Sequence, residues 1–208
     1  MSLKFTEQRW NRLCFRLNIN PGTSYQQLIQ AYSEPHRHYH NQQHISECLA
    51  LLDWAEPKQN TLIDLVEVAL WYHDVISQPQ KTDNEKQSAV IACQLSPLST
   101  YYKKTIHSLI MATCHDTQAN NDAKKLIIDI DLGILGQSEA RFLEYENQIR
   151  KEYLWVSEAI YNAKRKKILQ QFINRQSIYY TDYFQHHLED RARYNINQSI
   201  NKLQQITQ

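Results

Sequence analysis

The chain alternates stretches in which apolar residues recur every three or four positions with short segments rich in Asn, Pro, Gly and Ser. Apolar residues at that spacing share one face of an α-helix, and they predict that this face packs inward. Capping residues such as Thr6 and Asn41, and breakers such as Pro57, set the ends of the helices. The predicted helices are 7–17, 25–32, 42–55, 61–73, about 84–95, 100–113, 123–132, 139–156, 158–175 and 189–206, with a short piece over 181–187.

No alternating strand pattern, internal repeat or domain linker interrupts this series. Glycine (3) and proline (5) are scarce, which favours long helices over a turn-dense β protein. The sequence therefore predicts an all-α, single-domain helical bundle over 1–208. Within it we expect a core of about 24–136 and a C-terminal helical layer of about 137–208. That layer packs on the core or on a second subunit, so a homo-oligomer is one expectation.

Charge and hydropathy exclude two classes of partner. Lysine and arginine (23) balance aspartate and glutamate (22), so no overall field attracts nucleic acid. No window approaches eighteen apolar residues and no apolar leader follows Met1, which predicts a soluble, cytoplasmic protein without a membrane partner. The cysteines lie among apolar helical residues without a C-x-x-C motif, which predicts reduced, buried thiols. They are Cys14, Cys48, Cys93 and Cys114.

The pair His73-Asp74, at the end of the strongly apolar helix 61–73, is the most informative feature of the chain. Imidazole nitrogen and carboxylate oxygen together are typical ligands of divalent transition metals. His44 lies 29 residues before His73, and Asp131 lies 57 residues after Asp74. Each of these side chains falls in a predicted core helix, so the ordered set His…His-Asp…Asp predicts a metal site.

The fourth ligand involves a choice between Asp129 and Asp131. Residues two apart on a helix project to different sides, so at most one of these carboxylates faces the core. Asp131 is in phase with the apolar residues around it, whereas Asp129 aligns less clearly. An unpaired carboxylate buried among isoleucines costs several kcal/mol, roughly, unless a cation compensates it. The phase therefore favours Asp131.

The ordered ligand set resembles the HD-domain superfamily of metal-dependent phosphohydrolases, and nearly the whole chain resembles its bacterial group of predicted metal-dependent HD phosphohydrolases. The resemblance implies an HD-type helical fold and makes His44, His73, Asp74 and Asp131 the metal ligands. The segments that carry it are Tyr32–Ile45 (YSEPHRHYHNQQHI), Trp71–Val75 (WYHDV), Asp83–Ala89 (DNEKQSA), Asp129–Gly136 (DIDLGILG), Glu146–Tyr153 and Ala192–Asn195.

Some members of that superfamily hold a second metal through histidines between the His-Asp pair and the last Asp. Here His107 and His115 occupy that interval, and His115-Asp116 repeats the core dipeptide. We expect His107 at the surface and His115 facing the site as a catalytic residue, with one ion per chain favoured over two. The mixed donors suit Mn, Fe, Co, Ni or Zn better than Mg or Ca.

Other residues are candidates for the chemistry around the ion. Glu85 can orient or deprotonate water, although a carboxylate in the first turn of a helix is also stabilised by the helix dipole. Arg37, His40 and Asn41 precede the His44 helix and can bind phosphate. The alternative for Arg37 is a salt bridge that holds the 34–41 loop in place.

These features predict a metal-dependent phosphohydrolase that cleaves a small phosphate ester, such as a nucleotide, with metal-activated water. The alternatives are a non-catalytic, metal-assisted binder of a phosphorylated ligand and a di-iron oxygenase of related fold. The basic run 164–167 predicts a solvated helix face opposite a buried stripe that includes Ile160 and Ile168, rather than a nucleic-acid site. Tyr179, Tyr180 and Tyr183 are expected to pack rather than to stack on a base.

Overall fold

A computed structural model describes residues 4–55, 57–115 and 119–205, and within these ranges the chain forms helices and no strand. The all-α prediction is therefore confirmed. Ten α-helices and one 3-10 turn, Leu132–Gly136, make up the described part. The helices are α1 Glu7–Leu17, α2 Ser24–Ala31, α3 Gln42–Trp54, α4 Thr61–Tyr72, α5 Asn84–Ala92, α6 Thr100–Ala112, α7 Asp122–Asp131, α8 Glu139–Glu152, α9 Glu158–Ile173 and α10 Asp182–Gln205.

Side-chain caps fix the starts of several helices. The Thr6 hydroxyl accepts the backbone N–H of Arg9 at the start of α1, and the Asn41 amide oxygen accepts that of Gln43 at the start of α3. Both caps agree with the sequence prediction. For α7 the cap is one residue earlier than predicted, because Asn121 rather than Asp122 accepts a backbone N–H.

The central helix of the bundle is α4. Every residue from Asp64 to Tyr72 is buried, and α1, α3, α5, α6 and α7 all pack against it. An apolar surface that covers most of the helix circumference explains this position, because no single face could bury it. Since α4 ends inside the bundle, the next two residues, His73 and Asp74, leave the helix at the centre of the fold.

The predicted start of the last helix is wrong. The structure has one continuous helix, α10, where the sequence predicted a piece over 181–187 and a separate helix over 189–206. Leu188 is buried and helical, and neither glycine nor proline lies between the two pieces. The hydrogen-bond ladder therefore runs through the expected break.

The start of α10 is anchored on α7 by Asp129, which is completely buried. Its carboxylate accepts the backbone N–H groups of Tyr180 and Thr181 and the Thr181 hydroxyl, each at 2.7 Å. Burial raises the pKa of Asp129 to about 6 although these three donors favour the ionised form. Asp129 thus connects the C-terminal helix to the centre of the fold.

The expected environments of the tyrosines and cysteines hold in most cases. Tyr179 is buried and its hydroxyl donates to the Leu132 carbonyl, so it packs rather than stacks on a ligand. No disulfide joins the four cysteines. Two of them are buried as predicted, Cys14 and Cys48, whereas the other two are only partly covered.

Candidate metal centre

Four side chains from three regions of the fold converge at the end of α4. The Nε2 atoms of His44 and His73 lie 3.1 Å apart. Oδ2 of Asp74 lies 3.3 Å from Nε2 of His44 and 3.1 Å from Nε2 of His73. Oδ1 of Asp131 lies 3.4 Å from each of the two imidazole nitrogens. The structure thus brings together all four ligands predicted from the sequence.

The spacing of these donor atoms suits a single ion. Nitrogen and oxygen ligands bind a transition metal at about 2.0–2.2 Å, which places neighbouring ligand atoms roughly 3.0–3.5 Å from one another. The distances between the imidazole nitrogens and the facing carboxylate oxygens all fall between 3.1 and 3.4 Å. Each carboxylate oxygen therefore stands to the two imidazole nitrogens at the distances expected of neighbouring ligands of a divalent cation.

The charge of the cluster also fits a cation, since no lysine or arginine is among its members. Burial lowers the pKa of His73, but Asp74 and Asp131 outweigh burial and raise that pKa well above its usual value. Burial raises the pKa of a carboxyl group, yet the facing imidazoles hold the pKa values of both aspartates well below the usual range. Without an ion, protons on the imidazoles balance the carboxylates. Metal binding would displace those protons.

Backbone contacts fix the direction of the ligands. Nδ1 of His73 donates to the Leu70 carbonyl at 2.9 Å, which leaves the Nε2 lone pair free for an ion. His44 projects from the first turns of α3, where the Asn41 cap starts the helix. Asp131 is the last residue of α7, and Asp129, two residues earlier, faces α10 instead. Asp129 is completely buried and Asp131 is half-buried, so the expectation that at most one of these carboxylates faces the core is wrong, although Asp131 is the one that joins the cluster.

Cys48 is a further donor near the cluster that the sequence prediction treated only as a buried thiol. One ligand atom each from His44, Cys48, His73 and Asp131 lies within 4.8 Å of the others. The sulfur lies 3.7 Å from Nδ1 and 3.8 Å from Nε2 of His44, so it sits beside the ring and equally far from both nitrogens. Oδ2 of Asp74 lies closer to Nε2 of His44 than the sulfur does, at 3.3 Å against 3.8 Å, which favours Asp74 as the fourth ligand.

His115 lies at the edge of the cluster, and its Nε2 donates to Oδ2 of Asp131 at 3.0 Å. Its φ of 58° is in the left-handed region, which non-glycine residues seldom adopt and which often marks a functional site. His107 is exposed, as predicted. Asp116, the second half of the repeated His-Asp dipeptide, lies outside the described residues.

A cavity of about 500 Å³ opens beside the donor cluster. Asp74, Asp131, His115, His40 and Glu85 all line it. The Glu85 carboxylate forms no ion pair or hydrogen bond with any residue in the described ranges. The structure thus places the proposed water-activating carboxylate in the same space as the metal ligands.

Two of the three predicted phosphate-binding residues are not in this cavity. Arg37 is buried, pairs with Glu34 at 2.8 Å, and donates to the carbonyls of Asp74 and Val75. Its donors are thus used to hold the turn that follows α4, which is the structural alternative considered for it. Asn41 caps α3 and donates to the His38 carbonyl. Neither side chain lines the cavity, so the structure does not place these two predicted phosphate-binding residues in it.

Glu152 supports His40 and had no assigned role from the sequence. One carboxylate oxygen accepts the backbone N–H groups of His38, Tyr39 and His40 at 2.7–3.0 Å. The other oxygen accepts a hydrogen bond from Nδ1 of His40, which lies 2.6 Å away. Burial opposes ionisation, but His40 and these N–H groups lower the pKa of Glu152 to about 2. His40 and Glu152 are more than 100 residues apart in the sequence, so no local pattern indicates their contact.

In the basic run on α9, Lys164 and Lys167 are exposed and Lys166 is half-exposed, as the prediction of a solvated face requires, but Arg165 departs from it. Arg165 is buried and lines the cavity with Lys164, whereas Ile160 and Ile168, predicted as part of the buried stripe, are 54% and 43% exposed. The guanidinium of Arg165 binds Glu146 on α8, and it also lies 5.0 Å from the Tyr145 ring centroid. An ion-pair partner on α8 therefore turns this one arginine inward, while the lysines of the run stay exposed or half-exposed.

Comparison of this chain with protein-family models, with curated proteins and with solved structures finds no match. Among the described residues no helix has the length and apolar character needed to cross a bilayer. The functional argument therefore depends on the site itself.

Proposed function

We propose that this chain is a metal-dependent phosphohydrolase of the HD-domain type that cleaves a small phosphate ester. The observation that carries the proposal is the convergence of His44, His73, Asp74 and Asp131, whose donor atoms lie at ligand-to-ligand distances beside an open cavity. The resemblance of the sequence to that superfamily supports the same assignment. Helical folds in general host many activities, so the site carries the argument.

The donor set favours Mn, Fe, Co, Ni or Zn, because two imidazoles are poor ligands for the oxygen-seeking ions Mg and Ca. A bound ion of this kind lowers the pKa of water toward neutrality and offsets negative charge on a phosphoryl group. The two aspartates supply two negative charges, so one divalent cation brings the cluster close to neutrality. One ion per chain is therefore the proposed stoichiometry.

The residues around the ligands have distinct proposed tasks. Glu85 accepts a proton from the attacking water, since its carboxylate lines the cavity without a partner among the described residues. His40, oriented by Glu152 at 2.6 Å, donates a hydrogen bond to a phosphate oxygen. His115 holds Asp131 in position, and both residues line the cavity. These groups surround the space into which the phosphate of an ester would enter.

The proposal is tested by measuring release of inorganic phosphate from a panel of phosphate esters in the presence of Mn²⁺, Co²⁺ or Ni²⁺. We expect the purified protein to hydrolyse at least one ester and Asp74→Ala to lose both bound metal and activity. Asp83→Ala is the matched control, because this exposed aspartate precedes α5 outside the cluster. Metal content and activity that survive Asp74→Ala would contradict the proposal.

A further inference from the structure

The cavity beside the metal ligands has two unlike halves. Of its polar side chains, Asp74 and Asp131 belong to the ligand cluster and His115 contacts Asp131, while His40 and Glu85 also line the cavity. A second part of the lining, built from the end of α8, the corner after it and α9, is mostly apolar and aromatic. The residues of this distal wall are Ile149, Tyr153, Trp155, Val156, Tyr161, Ile168 and Phe172.

One face of α9 runs along the distal wall. Its cavity-lining residues Tyr161, Lys164, Arg165, Ile168 and Phe172 recur every three or four positions. From the first to the last of them the helix rises roughly 16 Å, at about 1.5 Å per residue. The Phe172 ring lies 6.2 Å from the His115 ring, so this end of α9 lies near the metal ligands.

The other end of the wall is an aromatic group at the corner between α8 and α9. The ring centroid of Tyr153 lies 6.2 Å from that of Trp155 and 6.4 Å from that of Tyr161. Trp155 is 57% exposed and Ile168 is 43% exposed, although both line the cavity. Apolar surface left in contact with water is a favourable place for a flat apolar group to bind.

The charges on the wall suit an anionic ligand. Arg165 is already bound to Glu146, so its charge is compensated within the protein. Lys164, one residue earlier, makes no ion pair with any residue of the described ranges and also lines the cavity. A free ammonium group on one side and the metal ligands on the other complement a phosphate that carries an apolar body.

We infer that the distal wall binds the organic half of the substrate, and that this half is an aromatic group rather than a bare sugar or polyol. The inference rests on the proposed function, since the phosphate of the same molecule would occupy the metal end. A sugar would present several hydroxyl groups to a wall that offers mainly aliphatic and aromatic surface. A planar ring would instead cover Trp155 and Tyr161 and align with the axis of α9.

Binding of phosphonates tests this without depending on turnover, because their C–P bond resists phosphate-ester hydrolysis. Equilibrium binding of 2-naphthylmethylphosphonate and of methylphosphonate is measured by calorimetry on Mn²⁺-loaded protein. We expect the naphthyl compound to bind roughly tenfold more tightly, a typical gain for aromatic contacts. Equal affinities would overturn the aromatic assignment and leave the phosphohydrolase proposal intact. Failure of both to bind would overturn both proposals.

Two neighbouring variants locate the effect on the wall. Trp155→Ala should reduce the advantage of the naphthyl compound roughly fivefold while methylphosphonate binding stays unchanged. Leu154→Ala is the matched control, since Leu154 is 65% exposed and does not line the cavity. Both side chains are mostly in water, so neither change should affect folding. An advantage that persists in Trp155→Ala, or that falls equally in Leu154→Ala, would overturn the inference.

Discussion

Two clusters of charged side chains lie against α4, and they are balanced in different ways. At the start of the helix, Arg9 and Arg16 pair with Asp64 and Glu67 at 2.7–3.2 Å, and Arg9 also holds Asp53 at 2.9 Å. At its end, the charged partners of the Asp74 and Asp131 carboxylates within the described ranges are imidazoles. Asp64 and Glu67 of the first cluster are buried, whereas Asp74 and Asp131 of the second are half-buried. Among the described residues the first cluster contains permanent cations and the second contains none.

The difference separates structural from chemical use of carboxylates. A buried carboxylate needs a compensating positive charge, and arginine supplies it permanently because its guanidinium stays protonated. Histidines supply it only by taking up protons, which a metal ion can replace. The first cluster is therefore complete as folded, whereas the second has the composition of a site that binds a cation.

Glu85 extends the comparison, since it is also an acid without a cationic partner among the described residues. If it accepts the proton of water, Glu85→Gln should slow phosphate release by roughly 10²–10⁴-fold while metal content stays unchanged. Turnover at saturating substrate and metal analysis of the same sample measure both quantities. This is the largest effect we expect from a residue that is not a ligand.

Glu139→Gln is the matched control for that prediction. Glu139 occupies the first turn of α8, as Glu85 does in α5, but it is absent from the cavity wall. Both changes remove a carboxylate from the positive end of a helix dipole. A carboxylate at that position stabilises the folded helix by about 0.3–1 kcal/mol. If Glu85→Gln shows only this small loss of stability and an unchanged rate, Glu85 has a helix-stabilising role alone.

The arginine cluster should show the opposite response to substitution. Glu67 is 6% exposed, and its carboxylate accepts hydrogen bonds from both Arg9 and Arg16. In Glu67→Gln the amide N–H₂ group replaces one carboxylate oxygen, so a buried donor faces an arginine donor. We expect the free energy of unfolding to fall by about 1–3 kcal/mol, with metal content and phosphate release per folded molecule unchanged. Denaturant titration gives the first quantity. Loss of metal in Glu67→Gln would show that the two clusters are not independent.

Much of the candidate metal centre could be predicted from the sequence, because local helix geometry sets the positions of its residues. The position of His73-Asp74 after an apolar helix placed the pair in the core. Asn41 was identified correctly as a cap, and that same role removes it from the cavity. Short-range geometry sufficed for each of these residues.

Contacts between distant segments were the part that the sequence could not supply. Arg37 binds carbonyls 37 and 38 residues away, and Arg165 turns inward because Glu146 lies on the neighbouring helix. A run of basic residues has the same sequence signature whether it faces solvent or a buried acid. The position of the distal wall beside the metal ligands likewise depends on how α9 packs, which no periodicity indicates.

The central claim is that four specific side chains hold one cation, and metal stoichiometry tests it most directly. Mn²⁺ or Zn²⁺ bound per chain is measured after equilibrium dialysis for the unmodified protein, Cys48→Ser and Asp74→Asn. The ligand geometry predicts about one ion for the first two and loss of that ion in Asp74→Asn. Retention of the ion in Asp74→Asn together with its loss in Cys48→Ser would contradict the assigned ligand set.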